Sequence, residues 1–260
     1  MVPESSTTPQ PATIQRLAFS RQPDLRTPEQ READRQQWDE VAREYAIEAE
    51  RQRRAQRWLR VAKQIGHDYA SRRLSNWEFH GDPAEQQAQR DTLGKFRTFR
   101  DGMRVNATQG HNLIIFGAMG TGKDYLLSVA MRHAVLSHGF DVLWQNGTEM
   151  FSEFRATMRS DSEQCEARLL RALIGADILA ISDPLPPSGV LSEYQAATLF
   201  SIVDGRYRAQ RPTWLTLNVV NGNEARSRMG AQTVDRLTHR AVSLFCNWNS
   251  YRQFDRTGGA

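Results

Sequence analysis

Apolar positions fall in two rhythms along this chain. Between Pro28 and about Leu74 they are sparse: Trp38, Val41 and Tyr45, then Trp58, Val61 and Ile65, recur at spacings of three and four around a polar gap. That spacing predicts one long helix, or two, with a narrow apolar stripe on a charged surface. Thr27 is placed to cap it, with Pro28 at the first helical position and Gln30 at the capping-box position. Oppositely charged residues four apart, such as Glu50 and Arg54, add support. A polar-aromatic connection, 75–82, and a helix over 83–103 lead into the second rhythm. There, short apolar runs of strand length (113–116, 141–145, 177–182, 213–217 and 241–246) alternate with helical patterns. Helices are expected over 124–138, stopped by Gly139, over 148–159, capped by Thr148, over 163–174 and over 191–208. Two short ones are expected around 223–239. This βαβα succession predicts an α/β fold, a parallel sheet covered by helices on both faces, with a helical N-terminal extension.

The first strand runs into Gly117-Ala118-Met119-Gly120-Thr121-Gly122-Lys123-Asp124-Tyr125. The phosphate-binding loop G-x-x-x-x-G-K-[ST] is matched at every position but the last. Glycines let successive N–H groups wrap an anion, and the following helix presents its positive end to the same phosphates. Lys123 is placed to reach the β- and γ-phosphates of a nucleotide. The last position needs a hydroxyl for Mg²⁺, and Asp124 stands there instead. A phosphate-loop ATPase also needs a carboxylate at the tip of a neighbouring strand to hold Mg²⁺, and hydrolases add a second acid to activate water. The strand 178–181 ends in Ser182-Asp183, so the first acid is replaced by a hydroxyl and the second is kept. The two departures form an exchange: Asp124 brings a carboxylate where a hydroxyl is usual, and Ser182 does the reverse. Asp124, Ser182 and Asp183 are the candidate metal residues, and Asp183 is the candidate water-activating acid. Asn218, at the end of the fourth strand, can bond a γ-phosphate or orient a water. Arg236 can neutralise charge on a phosphoryl group in its own or a neighbouring subunit. His133 and His138, five apart, are not placed to share a helix face as a metal pair.

Composition changes this picture in three places. The first 27 residues, rich in Ser, Thr, Pro and Gln, are read as a disordered tail, and 253–260 as a C-terminal tail. They frame a charged helical region, 28–74, suited to docking a partner protein or a second copy, and a nucleotide-binding domain, 75–252. Mean hydropathy is −0.62, and no apolar run approaches the ~18 residues of a membrane span. The N-terminus lacks the basic flank and apolar core of a secretory signal. Cys165 and Cys246 are far apart, which argues against a disulfide framework and zinc and for a reduced, cytoplasmic setting. The net charge of +4 and pI near 9.3 are compatible with nucleic-acid binding. Arg51, Arg53, Arg54, Arg57, Arg60 and Lys63 cluster on the N-terminal helix, as a solvated face or a phosphate contact.

Several stretches occur together and in order: GAMGTGKDYL, ADILAISD, LFSIVDGRYRAQRPT, the strand ending at Asn218, VDRL and the closing NWNSYR. In this combination, over about 75–252, the chain resembles the AAA+ bacterial replicative helicase loaders (DnaC-type) and the insertion-sequence ATP-binding proteins (IstB-type). The resemblance implies an AAA+ phosphate-loop fold, ATP with Mg²⁺, and a cytoplasmic protein that assembles as an ATP-dependent homo-oligomer. It implies Lys123 as the phosphate-binding lysine, Asp183 as the water-activating acid, Asn218 as a γ-phosphate sensor and Arg236 as an arginine finger acting across a subunit boundary. The family's metal-binding Asp falls on Ser182. Expected partners are a replicative helicase, bound by the N-terminal region, and single-stranded DNA, along the helices between 148 and 174, where Arg155, Arg159, Arg168 and Arg171 supply charge. Two other readings use the same module. One is a transposition regulator on duplex target DNA, and the other is a nucleotide-gated adaptor that binds ATP without turnover.

If the exchange keeps one acid beside the metal, Asp124→Thr or Asp124→Ser weakens Mg²⁺-dependent ATP binding. A nucleotide titration with and without Mg²⁺ checks it, and unchanged or tighter binding refutes it.

Overall fold

The computed structural model describes residues 26–159 and 163–252. The segments read as tails therefore lie outside the described residues, apart from 26 and 27, and so does the polar break at 160–162. The chain divides into two compact units, 1–47 and 48–260, with the division inside the first helix, α1 (Pro28–Ile65).

In the first unit α1 begins as its sequence predicts. Gln30 N–H donates to Thr27 Oγ1 at 3.2 Å and Thr27 N–H donates to Gln30 Oε1 at 2.9 Å, a reciprocal capping box. The stripe residues Trp38, Val41 and Tyr45 are exposed.

In the second unit the remainder of α1 buries Trp58, Val61 and Ile65. After it come α2 (His67–Ser71), a 3₁₀ turn (Leu74–Asn76), α3 (Pro83–Asp101) and α4 (Met103–Thr108). Then follow β1 (Asn112–Gly117), α5 (Lys123–His138), β2 (Val142–Asn146), α6 (Gly147–Arg159), α7 (Glu163–Gly175) and β3 (Ile178–Ser182). The chain closes with α8 (Glu193–Arg208), β4 (Thr213–Leu217), α9 (Gly222–Met229), α10 (Ala231–Thr238) and β5 (Ala241–Cys246). All five strands are parallel, in the order β2-β3-β4-β1-β5. Insertion of β4 between β1 and β3 brings three carboxyl ends, at Gly117, Ser182 and Leu217, to one edge of the sheet. Alternate residues of each strand face opposite layers. Leu113, Ile115, Ile178, Ala180 and Trp214 pack with α1, α3 and α5, while Ile114, Leu179, Ile181, Leu215 and Leu217 pack with residues of α6 to α10.

Two details differ from the sequence reading. Helix α6 is capped from two residues earlier: Asn146 Oδ1 accepts from Thr148 N–H at 3.0 Å and Glu149 N–H at 3.2 Å, so Asn146, not Thr148, satisfies the helix start. The rings of His133 and His138 do meet, edge to face with centroids 5.0 Å apart, because His138 is the last residue of α5. No group of three or more potential metal ligands surrounds them or any other site among the described residues.

Cations do structural work at two helix C-termini. Glu50 holds Arg54 at 2.9 Å; Arg54 donates to Ser137 O at 2.9 Å and Arg57 donates to Gly139 O, so α1 caps the end of α5. Arg206, on α8, is fully buried. It donates to the carbonyls of Leu173, Ile174 and Ala176 at 2.7, 3.1 and 2.9 Å, to Asp177 O and Pro212 O, and to Thr213 Oγ1. Burial pushes its pKa down to about 9, which leaves it charged at neutral pH, and the carbonyls of the α7 terminus are the acceptors that such a buried cation requires.

Arg206→Ala is expected to cost about 3 kcal/mol or more, since each buried acceptor left without a donor costs ~1–3 kcal/mol. Denaturant unfolding measures it. Arg206→Lys, which keeps the charge but not the planar fork, should recover only part of the loss.

Candidate functional site

The phosphate loop folds where the sequence places it, between β1 and α5. At Gly117 φ is 143°, and a Cβ there would lie 2.3 Å from the Cys246 carbonyl oxygen; at Gly122 φ is 85°, and a Cβ would lie 2.7 Å from the Trp77 ring. Only glycine satisfies both the dihedral and the approach. The loop carbonyls are tied down. Trp248 Nε1 donates to Thr121 O at 3.0 Å and Tyr251 N–H to Gly120 O at 3.0 Å. Ala118 O accepts from Thr121 Oγ1 at 2.8 Å and from Lys123 Nζ at 2.6 Å. The amides of 118–122 donate to no backbone carbonyl among the described residues, so they remain available to an anion. Met119 is exposed.

Burial is the main cause lowering the Lys123 pKa. Electrostatic interaction with Cys246, Asp124 and Asp183 raises it again, and the charge of Arg252 lowers it. Arg252, in the closing NWNSYR stretch, therefore stands as a second cation near the loop.

The two exchanged residues meet. Ser182 Oγ donates to Asp124 Oδ1 at 2.8 Å, and Thr216 Oγ1 donates to the same oxygen at 2.8 Å. Ser182 and Thr216 are register partners on β3 and β4, so their hydroxyls stand side by side. Thr216 also accepts from Asp183 N–H at 3.2 Å. Asp183 itself sits at φ 47°, a left-handed conformation uncommon for a non-glycine residue. Asn218 Nδ2 donates to Asp183 Oδ2, while Asp183 Oδ1 is buried without a hydrogen-bond partner. Burial raises the Asp183 pKa first and the Asp124 charge raises it further. Lys123, the Asn218 hydrogen bond and Arg228 act in the other direction. Arg228 pins the loop after β3, donating to Gly189 O at 2.9 Å, to Asn218 O at 3.1 Å and to Pro186 O.

Asp124, Ser182, Asp183, Asn218 and Lys123 are thus brought to one edge of the sheet. Two candidates are placed elsewhere. The Tyr125 ring packs on Trp77 with centroids 5.2 Å apart, and its hydroxyl donates to Arg73 O, so its side chain turns away from the loop. Arg236 lies at the amino edge of the sheet. It pairs with Asp204 at 3.3 Å and Asp235 at 3.1 Å and stacks on Tyr207 at 4.9 Å, and its own carbonyl meets Asn112 at the start of β1. It does not reach the phosphate loop of its own chain. On α6 and α7, Arg155, Arg168 and Arg171 are exposed, whereas the side chain of Arg159 lies outside the described residues. Sequence reasoning missed Thr216 and Trp77. The available signal for Thr216 was a hydroxyl inside an otherwise buried strand, one residue before its end.

The donor set suits Mg²⁺. This ion takes hard oxygen ligands, keeps several waters and needs only one or two carboxylates beside substrate phosphates. The orphaned Asp183 Oδ1 and the Asp124 carboxylate supply that set.

Comparison with known proteins agrees with this architecture. The model of the family described as IstB-like ATP binding protein matches residues 26–258. The chain belongs to that family. The replicative helicase loader DnaC of Buchnera aphidicola subsp. Baizongia pistaciae (strain Bp) is 28% identical over 143 residues, covering 55% of this chain and 56% of that protein. The chain thus spans little more than half the length of that relative. The crystal structure of the DnaC helicase loader superposes with a TM-score of 0.59 at 18% identity, over 69% of this chain and 99% of that one. The crystal structure of DnaI gives 0.53 at 16% identity, over 71% and 93%. The fold is that of AAA+ phosphate-loop proteins.

The raised pKa of Asp183 has a consequence for stability. A carboxyl whose folded pKa lies above its unfolded value contributes nothing while protonated in both states and costs stability once pH rises through the folded pKa. Asp183→Asn, which also tolerates the left-handed backbone, should therefore raise Tm near neutral pH and lose that gain in acid. Thermal melts across this range check it, and an equal or lower Tm at neutral pH counts against the assignment.

Proposed function

We propose that this member of the IstB-like ATP-binding family takes ATP with Mg²⁺ at 117–124 and uses it to order an assembly of its own copies with a replicative helicase on single-stranded DNA. One observation carries the nucleotide part: the loop, the Asp124–Ser182–Thr216 tie and the Asp183–Asn218 pair meet at a single edge of the sheet. The likeness to the replicative helicase loader DnaC directs the choice of partner. The free Cys165 and the buried Cys246, whose thiol burial pushes up to about 12, suit a reducing cytoplasm.

Lys123 leaves Ala118 O for the β- and γ-phosphates, and the loop amides bind the remaining oxygens. Asp124, presented by Ser182 and Thr216, and Asp183 would hold Mg²⁺, which would supply neutralisation of phosphate charge. Asn218 fixes Oδ2 of Asp183, and Oδ1 would meet Mg²⁺ through its water shell and accept a hydrogen bond from the attacking water. Asn218 would also hydrogen-bond the γ-phosphate. Arg236, at the far edge of the sheet, acts on the nucleotide of a neighbouring copy. Bound nucleotide thereby joins copies, and turnover separates them.

The family match itself favours a second reading, a transposition regulator acting on duplex DNA. ATP hydrolysis measured without DNA, with single strands and with duplex separates the two. Stimulation by single strands is expected, and stimulation by duplex alone overturns the loader reading. Mixing Arg236→Ala chains with Asp183→Asn chains should restore part of the activity, about one competent interface in four for random pairing, because each site draws on two chains. If neither variant loses function, the protein is a nucleotide-gated adaptor without turnover.

A further inference from the structure

Helix α1 presents a seam of apolar residues that stays exposed. In the first unit it carries Trp38, Val41 and Tyr45 at the three–four spacing of a packing seam, yet Trp38 is 71% and Tyr45 78% exposed. Single apolar residues on a surface need no explanation, but two large aromatics and a valine aligned on one helix do. The same rhythm, continued in sequence, passes through Glu48, Gln52, Ala55 and Leu59. In the second unit Gln52, Ala55 and Leu59 are exposed, Leu59 at 65%, while a different face of the helix buries Trp58, Val61 and Ile65.

Charge along the helix says what fits it. Between 28 and 50 there are eight acids and three arginines, and between 51 and 65 six bases and no acid. Some of these charges meet one turn away: Glu48 lies 4.0 Å from Arg51, and Glu50 lies 2.9 Å from Arg54. Asp39, Glu40 and Glu44 in the acidic half, and Arg60 and Lys63 in the basic half, have no ion-pair partner among the described residues. Each half is thus the complement of the other. Between Pro28 and Gly66 the sequence holds no glycine or proline at which the helix could turn back, so the complement is reached on another molecule.

We propose that α1 pairs with α1 of a second copy, antiparallel, so that the acidic half of each lies on the basic half of the other. A parallel pair sets acid on acid and base on base, and like charges along a seam disfavour it. Antiparallel pairing centred on Glu50, at the charge boundary, also matches shape. It sets Val41 against Leu59 of the second copy and Tyr45 against Ala55, a large side chain over a small one. The arrangement has two-fold symmetry, in which one patch serves both copies. It also gives a largely exposed helix the tertiary contact that helices in water depend on. None of these residues belongs to the phosphate loop, so the pair forms without nucleotide. The proposal goes beyond the ATP-binding reading and does not rest on it.

The test is sedimentation equilibrium of the full chain over ~1–100 μM, the weak end of the range for interfaces of ordinary size. It is run with and without a non-hydrolysable ATP analogue. A monomer–dimer equilibrium without nucleotide is expected. Val41→Glu and Leu59→Glu should each weaken it about tenfold or more, with Tm and analogue binding as in wild type. Two charge-reversed chains report the orientation. One carries Arg51→Glu, Arg53→Glu, Arg60→Glu and Lys63→Glu; the other carries Asp39→Lys, Glu40→Lys, Glu44→Lys and Glu48→Lys. Each alone should be monomeric, and an equimolar mixture should form a heterodimer. Wild type that stays monomeric overturns the proposal, and loss of capture of a purified replicative helicase by the Glu variants would then assign the seam to that protein. A dimer induced only by the analogue also overturns it, because the contact would belong to the nucleotide interface. So does a dimer that both Glu variants leave unchanged, or a mixture of reversed chains that fails to pair. If the dimer behaves as expected but no analogue binds, the nucleotide reading fails and this one stands.

Discussion

The structure at the nucleotide edge depends on one carboxylate oxygen. Asp124 Oδ1 accepts hydroxyls from two adjacent strands, at 2.8 Å each, and so ties α5 to β3 and β4. A carboxylate at the start of a helix gains from the helix dipole, but a half-buried one also needs donors. Ser182 and Thr216 provide them because their register on neighbouring parallel strands sets both hydroxyls on the same face. Thr216 then passes the constraint on. It donates to Asp124 and accepts from the Asp183 amide, which helps to hold Asp183 in its left-handed turn with one oxygen committed to Asn218. The usual polarity, a loop hydroxyl facing a strand carboxylate, is reversed in this chain, and the reversed pair still makes the bond. The two acids consequently differ. Asp124 Oδ1 is held by two donors, whereas Asp183 is harder to ionise, first because it is buried and then because the Asp124 charge lies nearby.

A second set of contacts fixes the loop from outside. Trp77 packs against Gly122, Tyr125 and Trp248, the last two with edge-to-face rings. Gln89 accepts from Trp77 Nε1 at 3.2 Å and donates to His80 O at 2.7 Å, and His80 Nε2 contacts Asn249 O at 2.9 Å. Residues 72–89 and 246–251 are thereby knitted together around the phosphate loop. Any rearrangement of the loop on binding phosphate acts directly on the connection that leads back to α1. The Arg54 and Arg57 contacts to the far end of α5 give α1 a second attachment to the same helix.

Most of the fold was legible because its signals are local. The strands are buried apolar runs of five or six residues, and Gly139 and the Thr27–Gln30 box mark helix ends by their own chemistry. Asn146 was missed as the cap of α6 because it also completes β2, and Thr148 offered an equally good local signal. The site was legible in its parts but not in its connections. Asp124 and Ser182 read as a paired exchange at one site, but that their side chains bond at 2.8 Å follows only from the strand order. Thr216 carried no motif at all, since its role follows from being the partner of Ser182 across β3 and β4. Tyr125 was read as part of the loop on adjacency in sequence, yet an aromatic on the first turn of α5 finds more apolar contact against Trp77.

The two edges of the sheet divide the chemistry between them. At the carboxyl edge acids and a lysine surround glycine-rich backbone, an arrangement for a nucleotide. At the amino edge arginines dominate, and the buried Arg206 stands just behind them, its pKa lowered first by burial and then by the nearby charge of Arg211. A fold gains nothing from setting two guanidinium groups so close. It tolerates Arg206 because six backbone and hydroxyl acceptors surround it, but Arg211 has no such set. The contrast separates a cation that holds the fold together from one whose Nη1 is buried without an acceptor.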